Sequence, residues 1–558
     1  MTIHDTTRDH VASLADLIEL VEQNERLSAS RRRDLISAIT TTARLLNRNA
    51  AELPASAKEL RERLSRIHPT QAGMTAKRFA NIRSDLAAAL KHTVTPPKPK
   101  GATIIVSPAW VSLREGLETD WQRYTLSRLA RFCSAANISP AEVSDAIIED
   151  FRKHLSDTHL AKNPDKIVKI TRETWNGIVS RSGAELPMLT KPPSRRFITR
   201  PLSEYPKSFQ DDLDAWLARL SSASMFDEDA PPKALRPTSL RNIKAGIRQF
   251  GHALVEEGRL PESLTTLADL IEINTYKLGL QHFVERNEGE LSAGLSNMAG
   301  YLVAIAKHHL KISPQHLAQL RSIKSRLVVE NDGLTEKNKR RLRQFEDEQN
   351  IHRLLGLPRR LWRKAEMARE PSSRDALLVL YAVTIEILLA CPMRVGNLAS
   401  LDIEKHLRWH GQGRDKRLAV VIPGTEVKNG QPIEVDLPKE SVALFKAYLS
   451  DWRPLISKER GDALFPNKAG HARLPGHLSE EMKRAIFRET GIDMNIHLFR
   501  HIAGKLYLDQ HPGEYETVRR LLGHRRLATT TSFYAPLENR RAVERYGEFV
   551  LSKRRAKR

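Results

Sequence analysis

Apolar residues alternate on both sides of Asn429-Gly430 in the run Val420-Val421-Ile422-Pro423-Gly424-Thr425-Glu426-Val427-Lys428-Asn429-Gly430-Gln431-Pro432-Ile433-Glu434-Val435-Asp436-Leu437. That pattern predicts a β-hairpin, with Lys428 just before its turn. Elsewhere the apolar spacing is helical. Residues 10–21 place Val11, Leu14, Leu17, Ile18 and Val21 on one face, and Arg31-Arg32-Arg33 leads into a second helix through Ile36 and Ile39. The fold class this predicts is mainly α and multidomain: helical domains followed by a mixed α+β domain with a small antiparallel sheet.

Domain boundaries follow from breaks in the helical pattern. The run Thr95-Pro96-Pro97-Lys98-Pro99-Lys100-Gly101 cannot continue a helix and favours an extended connector, so an N-terminal helical region is expected over 1–100. Beyond it, two segments resemble variants of one unit. Trp121–Cys133 is a basic amphipathic stretch followed by Ile138-Ser139-Pro140-Ala141-Glu142-Val143, and Ser239–Leu254 is another, followed by Leu267-Ala268-Asp269-Leu270. Residues 110–330 are therefore expected to form a helical region built on a duplicated unit. Lys337, Lys339, Arg340, Arg341 and Arg343 mark a basic linker at 331–350, which leaves 351–558 as the final domain.

Composition narrows the partners. Ninety Lys+Arg against 67 Asp+Glu give a net charge of +23 over 558 residues, a balance that favours polyanions through steering and counterion release. Two cysteines, Cys133 and Cys391, are too few for a disulfide framework or a Cys-based zinc site, which fits a reducing cytoplasm. No apolar run reaches the roughly 18 to 20 residues needed to span a bilayer, and no secretory signal is evident. A soluble, cytoplasmic protein without a membrane partner is expected.

Chemistry concentrates in the last third. Leu388-Leu389-Ala390-Cys391-Pro392-Met393-Arg394-Val395-Gly396-Asn397-Leu398 ends an apolar helix and delivers a cation to the edge of a core. His497-Leu498-Phe499-Arg500 follows, then Leu522-Gly523-His524, then Tyr534, ten residues beyond that histidine. A tyrosine hydroxyl has an unperturbed pKa of about 10, so it attacks phosphorus usefully only where cations stabilise charge growing on the non-bridging oxygens. Arginine suits that task, because its planar fork grips two phosphate oxygens at once.

Taken singly, each residue has an ordinary structural reading. Lys428 beside a turn is a solvated lysine, Arg394 and Arg500 are surface or salt-bridged arginines, and Tyr534 is a packing group. His497 and His501 stand four apart on one predicted helix, but the glutamate of the usual zinc-hydrolase motif is missing. His308-His309, Tyr507 and Tyr515 read as packing or surface groups. Phe533 has no hydroxyl, and Tyr546 lies far from His524.

In order, Arg394, Lys428, His497, Arg500, His524 and Tyr534 resemble the catalytic series of the tyrosine recombinase (phage integrase) family over about residues 345–550. The match includes an Arg-x-Gly-x-Leu context, a hairpin lysine, a His-x-x-Arg-His block containing His501, a Leu-Gly-His motif and a late tyrosine. The sequence departs from the family pattern at two points. An acidic residue often stands three positions after the first arginine, where this chain has Asn397, and the gap from His524 to Tyr534 is one residue longer than the commonest spacing.

The resemblance implies a tyrosine-recombinase catalytic domain at 351–558, preceded by a core-binding DNA clamp at 110–330. It implies that Tyr534 attacks a DNA phosphodiester to give a 3′-phosphotyrosyl bond and a 5′-hydroxyl, with no cofactor and no metal. Arg394 and Arg500 would stabilise the transition state and Lys428 would protonate the leaving oxygen. His497 would assist the tyrosine and His524 would bond a phosphate oxygen. Implied partners are double-stranded DNA, a homo-tetramer on that DNA, and an accessory recombinase or DNA-bending protein. The region after Tyr534 is a candidate for subunit contacts. Two other functions use the same residues or fold: a type IB topoisomerase-like or hairpin-end-forming enzyme, and an accessory DNA-binding protein that has lost turnover.

Overall fold

The computed structural model describes residues 12–94, 106–158, 160, 163–182, 186–190, 199–223, 231, 233–329, 333–457, 459 and 461–555. The proline run 95–101, the first two residues of the 10–21 pattern and the last three of the basic tail lie outside these. The chain divides into two compact units, one of residues 1–191 with 333–558 and one of residues 192–332.

In the first unit, α1 (Leu14–Glu22), α2 (Ala29–Leu45), α3 (Ala57–Ser65) and α4 (Ala76–Val94) bury a leucine-rich face. Ser13 caps α1 in a reciprocal box with Asp16, satisfying amide groups that the first turn would leave unpaired. Next come α5 (Pro108–Glu115), α6 (Asp120–Ala135), α7 (Asp145–Thr158) and α8 (Pro164–Ser182), around a core of Trp110, Phe151 and Trp175. Both tryptophan indoles donate to carbonyls, of Ile138 and Pro187, at 2.8 Å. Arg61 on α3 donates to the Ser156 carbonyl of α7 at 2.7 Å, and Leu160 joins the core of the first four helices.

The 192–332 unit has its own core, made by α9 (Lys207–Ser221), α10 (Pro237–Glu256), α11 (Ile273–Arg286), α12 (Ala293–Ala304) and α13 (Pro314–Ser325). A π-helical turn, Ile305–His309, follows α12 and turns His309 onto Asp212 at 2.6 Å. The span 110–330 thus holds two separate hydrophobic cores. Its two basic stretches are helices in each, α6 and α10, followed by the short 3-10 turns Pro140–Glu142 and Leu267–Leu270.

From residue 333 the chain rejoins the first unit through α14 (Glu336–Arg343), α15 (Glu348–Leu355), α16 (Leu357–Glu366) and α17 (Ser373–Ala390). The linker arginine Arg341 is buried and pairs with Asp493 at 3.1 Å. Burial on nearly every side makes α17 the central helix of the largest core, which is why it reads as apolar almost all round. Its last turn is followed by Pro392, which cannot continue it. The short helices α18 (Val395–Ala399) and α19 (Ile403–His406) lead into an antiparallel sheet, β1 (Leu407–His410), β2 (Arg417–Ile422) and β3 (Ile433–Asp436), in the order β1-β2-β3.

The hairpin is present, but the Asn429-Gly430 pair does not close it as a tight turn. The ladder stops at Ile422 opposite Ile433, leaving a ten-residue loop, 423–432. Pro423 and Pro432 are the first and last residues of that loop, and neither has an N–H to extend the pairing. The chain continues through α20 (Ser441–Ala447), α21 (Arg453–Ile456), α22 (Pro475–Thr490), α23 (Leu498–Gln510), α24 (Tyr515–Leu522) and α25 (Leu527–Arg555). Among the described residues no helix is long and apolar enough to cross a membrane.

Candidate functional site

Arg394 is the residue preceding the first turn of α18, in extended conformation, so the break at Pro392 turns its half-buried side chain off the end of α17. Lys428 is exposed in the β2–β3 loop. His524 is placed by a helix ending: Gly523 adopts φ +57, and the Gly523 and His524 amides donate to the carbonyls of Arg520 and Arg519 at 3.0 and 2.9 Å. This is the glycine-terminated helix stop that the Leu-Gly-His sequence encodes.

The β2–β3 loop is tied to that stop. Asn429 donates from Nδ2 to the Gly523 carbonyl at 2.6 Å, and Arg525 donates to the Asn429 carbonyl at 2.7 and 3.1 Å. At the base of the loop, the buried His406 accepts the Asp402 amide at Nδ1 and meets Glu426 with Nε2 at 3.1 Å. The sequence marked Asn429 only as part of a turn, and Arg525 and His406 did not stand out in it.

As a result Arg394, Lys428 and His524 line one groove, about 290 Å³, with Asn429, Gly523, Arg525 and Thr529. Among the described residues no carboxylate lines it. Arg394 and Lys428 form no ion pair among the described residues. An adjoining cavity of about 230 Å³ is lined by Arg394, Asn397, Arg500 and Gly523, among others. Asn397 is buried there, and its Nδ2 has no hydrogen-bond partner among the described residues.

Arg500, only 6 % exposed, donates to the Pro392 carbonyl at 2.8 Å and the Leu522 carbonyl at 2.5 Å. It thereby joins the end of α17 to the end of α24. Burial, then the charge on Arg394, lowers its pKa to about 10, so it stays a cation at neutral pH. His497 precedes the first turn of α23, its pKa lowered by its surroundings and then by Arg500 and Arg394. His524 meets the Thr530 hydroxyl with Nδ1 at 2.9 Å, and burial followed by the Arg500 and Arg394 charges lowers its pKa to about 4.

Tyr534 is 0 % exposed. Its hydroxyl donates to the Arg500 carbonyl at 3.2 Å and lies 3.3 Å from His501 Nδ1, and burial raises its pKa above the usual phenol value. The histidine that touches Tyr534 is thus His501. His497 stacks edge-on against His501, ring centroids 5.1 Å apart. Phe533 faces the histidines, with its ring 5.7 Å from His501 and 6.4 Å from His524. Among the described residues no group of three or more His, Cys, Asp or Glu side chains is placed to hold a metal ion.

Two consequences are measurable. A Cβ at Gly504 would stand 2.6 Å from Tyr534 Cζ, so Gly504→Ala is expected to lower stability by about 1–3 kcal/mol through overpacking, read as a lower urea midpoint. Burial, then the charges of His497, Arg500 and His524, lowers the His501 pKa to about 3, against about 6.5 in an unfolded chain. Between those values the unfolded state binds a proton that the fold refuses, so stability falls as pH drops through this window and is independent of this group above it. Thermal midpoints are expected to fall less steeply from pH 6.5 to pH 4 in His501→Asn than in the parent; equal slopes would refute the assignment.

Residues 360–541 match the family model described as the phage integrase family, and this part of the chain is a domain of that family, the tyrosine recombinases. No curated protein matches. Among solved structures the chain is similar to the XerH site-specific recombinase bound to palindromic difH substrate, with 15% identity over 62% of this chain and 99% of that one, TM-score 0.38. It is also similar to a lambda integrase dimer bound to a COC′ core site, with 14% identity, 68% and 89% coverage, TM-score 0.34. A Tn1549 transposon integrase in complex with transposon right end DNA shows 13% identity, 52% and 89% coverage, TM-score 0.33.

Proposed function

We propose that the chain is a site-specific DNA recombinase that cuts and rejoins duplex DNA through a 3′-phosphotyrosyl intermediate on Tyr534. The observation that carries this reading is the groove where Arg394, Lys428 and His524 meet with no carboxylate among its described lining residues, beside a cavity that Arg394 shares with Arg500 and Glu434. Such a surface suits a phosphodiester, whose non-bridging oxygens need fixed positive charge as the fifth bond to phosphorus forms. Arg394 and Arg500 supply that charge, and Lys428 donates a proton to the departing 5′ oxygen. In the tautomer that accepts the Thr530 hydroxyl at Nδ1, His524 presents Nε2–H to a phosphate oxygen. His497 takes up the tyrosine proton. The phosphotyrosyl bond keeps the energy of the phosphodiester, so resealing by the 5′-hydroxyl needs no nucleotide.

The remaining domains fit a clamp. The two helical cores within 110–330 present basic helices for the DNA backbone, and the net charge of +23 supports that role. Assembly into a tetramer on DNA is supported by α25, where Val543, Tyr546 and Phe549 recur at helical spacing and are 56 to 70% exposed. An accessory recombinase or DNA-bending protein would act on the same assembly.

The test is to express the protein in cells, lyse under denaturing conditions, and sequence DNA that remains covalently attached. Fragments sharing one sequence support recombination at a specific site. Adducts without sequence preference, together with relaxation of supercoiled DNA lacking any site, would assign the topoisomerase-like activity instead. Purified protein is also expected to lose duplex affinity steeply with salt, log K falling linearly with log salt concentration. A flat dependence in a filter-binding titration would remove the backbone-contact role.

A further inference from the structure

Lys428 stands in the ten-residue loop 423–432, and that loop is folded on itself. The Glu426 amide donates to the Pro423 carbonyl at 3.0 Å, the Val427 amide to Gly424 at 3.2 Å and the Gly430 amide to Val427 at 3.0 Å, so successive turns run from 423 to 430. Gly424 lies against Gly430, where a Cβ would stand 2.5 Å from the Gly430 carbonyl oxygen. Val427 is buried in the largest core, and the next residue, Lys428, is exposed at the groove.

Side chains pin the loop on both sides of the lysine. One position on, Asn429 and Arg525 tie it to the end of α24. Two positions back, Glu426 meets His406, the buried last residue of α19. His406 Nδ1 accepts the Asp402 amide at 2.9 Å, and an amide can only donate, so the ring proton is on Nε2 and is given to Glu426 Oε2 at 3.1 Å. Neither His406 nor Glu426 is among the described residues that line the groove or the cavity beside it. The groove itself holds Arg394 and Arg525, which repel an ammonium, and offers no carboxylate among its described lining residues to draw Lys428 in. What places the ammonium before a phosphate arrives is the backbone that carries it.

We propose that Glu426, held by His406, is a positioning residue for Lys428: it fixes the loop so that the ammonium faces the departing 5′ oxygen. The proposal rests on the reading of Lys428 as the proton donor. In that step the Tyr534 oxygen forms its bond to phosphorus and its proton passes to His497. The bond from phosphorus to the 5′ oxygen breaks with its electron pair going to oxygen, and Lys428 Nζ protonates that oxygen, becoming a neutral amine. Resealing returns the proton to the amine. Proton delivery needs donor and acceptor within hydrogen-bond reach, so a loop free to swing costs rate in this step and leaves DNA affinity alone.

The test uses the full chain and a nicked duplex carrying the sequence recovered from adducts, with either the natural 5′ oxygen or a sulfur atom at the scissile phosphate. A thiol is a far stronger acid than an alcohol, so sulfur departs without a proton and bypasses the lysine. The Glu426 side chain is 46% exposed, so Glu426→Ala opens no core, and an unchanged urea midpoint checks this. At saturating DNA, Glu426→Ala is expected to form the adduct roughly 10-fold more slowly than the parent from the oxygen substrate and at the parent's rate from the sulfur substrate. Glu426→Gln keeps an acceptor for His406 and is expected to recover most of the oxygen rate. Lys428→Ala is expected to lose about 100-fold on oxygen and nothing on sulfur. Adding Glu426→Ala to it should cost nothing further, because the donor being positioned is already gone. Equal slowing of both substrates by Glu426→Ala, no slowing of either, a glutamine variant as slow as alanine, or additive losses in the double variant would each overturn the positioning role. Equal loss on both substrates in Lys428→Ala would overturn the reading of Lys428 as proton donor, a separate result that takes the proposal with it.

Discussion

Tyr534→Phe is expected to abolish covalent protein–DNA adducts, a fall on the order of 10⁶-fold in cleavage, the scale that follows deletion of a covalent nucleophile. Duplex affinity should be unchanged, because the hydroxyl is buried against the Arg500 carbonyl and forms no part of the cationic groove. Phe533 makes the experiment sharper. It occupies the commoner family spacing from His524, and its ring already lies beside His501 and His524. The exchanged pair Phe533→Tyr with Tyr534→Phe tests the register directly. It is expected to remain inactive, since position 534, not 533, is the one whose ring packs on Gly504 and whose hydroxyl meets the Arg500 carbonyl. Adducts from the exchanged pair, and none from the parent, would move the nucleophile to position 533. The readout is a denaturing gel of protein bound to a labelled nicked duplex.

The two arginines are expected to separate catalysis from stability. Arg394→Ala should slow cleavage by about 10²- to 10³-fold, the cost of removing one preorganised donor at developing charge. Its side chain is half-buried and makes no ion pair among the described residues, so the urea midpoint should barely move. Arg500→Ala should show a rate loss of the same order and, in addition, a loss of roughly 2–4 kcal/mol in stability. Its guanidinium satisfies the Pro392 and Leu522 carbonyls inside the core, and each carbonyl left unpaired costs about 1–3 kcal/mol. Equal midpoints for the two variants would contradict the structural role given to Arg500, and normal cleavage by Arg394→Ala would contradict the phosphate site.

Much of the fold is local and was readable in order along the chain. The apolar spacing of α1 and α2, the strand alternation around residues 420–437 and the termination of α17 before Pro392 are each set within a few residues. Glycine after α24 fixes the direction of His524 in the same local way. Where the expectation differed, the cause was also physical. Asn429-Gly430 has the composition of a two-residue turn, but prolines on both sides end the ladder early and make a ten-residue loop. The division of the chain was less legible, because hydrophobic periodicity shows that a helix buries a face without showing which core receives it. Two cores within 110–330, and the pairing of linker residue Arg341 with Asp493, required the three-dimensional arrangement.

By itself, the sequence determined the residue types and their order: two arginines, a loop lysine, two histidines and a late tyrosine, with Arg394 and His524 each set beside a helix end that is encoded locally. Only the tertiary structure decided their exposure and their neighbours. Arg394, Lys428 and His524 come from elements up to 130 residues apart and meet because Asn429 and Arg525 tie the β2–β3 loop to the end of α24. Tyr534 carries no local signal of being buried, since α25 exposes much of its remaining length. Its burial is permitted by glycine at 504 on another helix, where the absent side chain leaves room for the tyrosine ring.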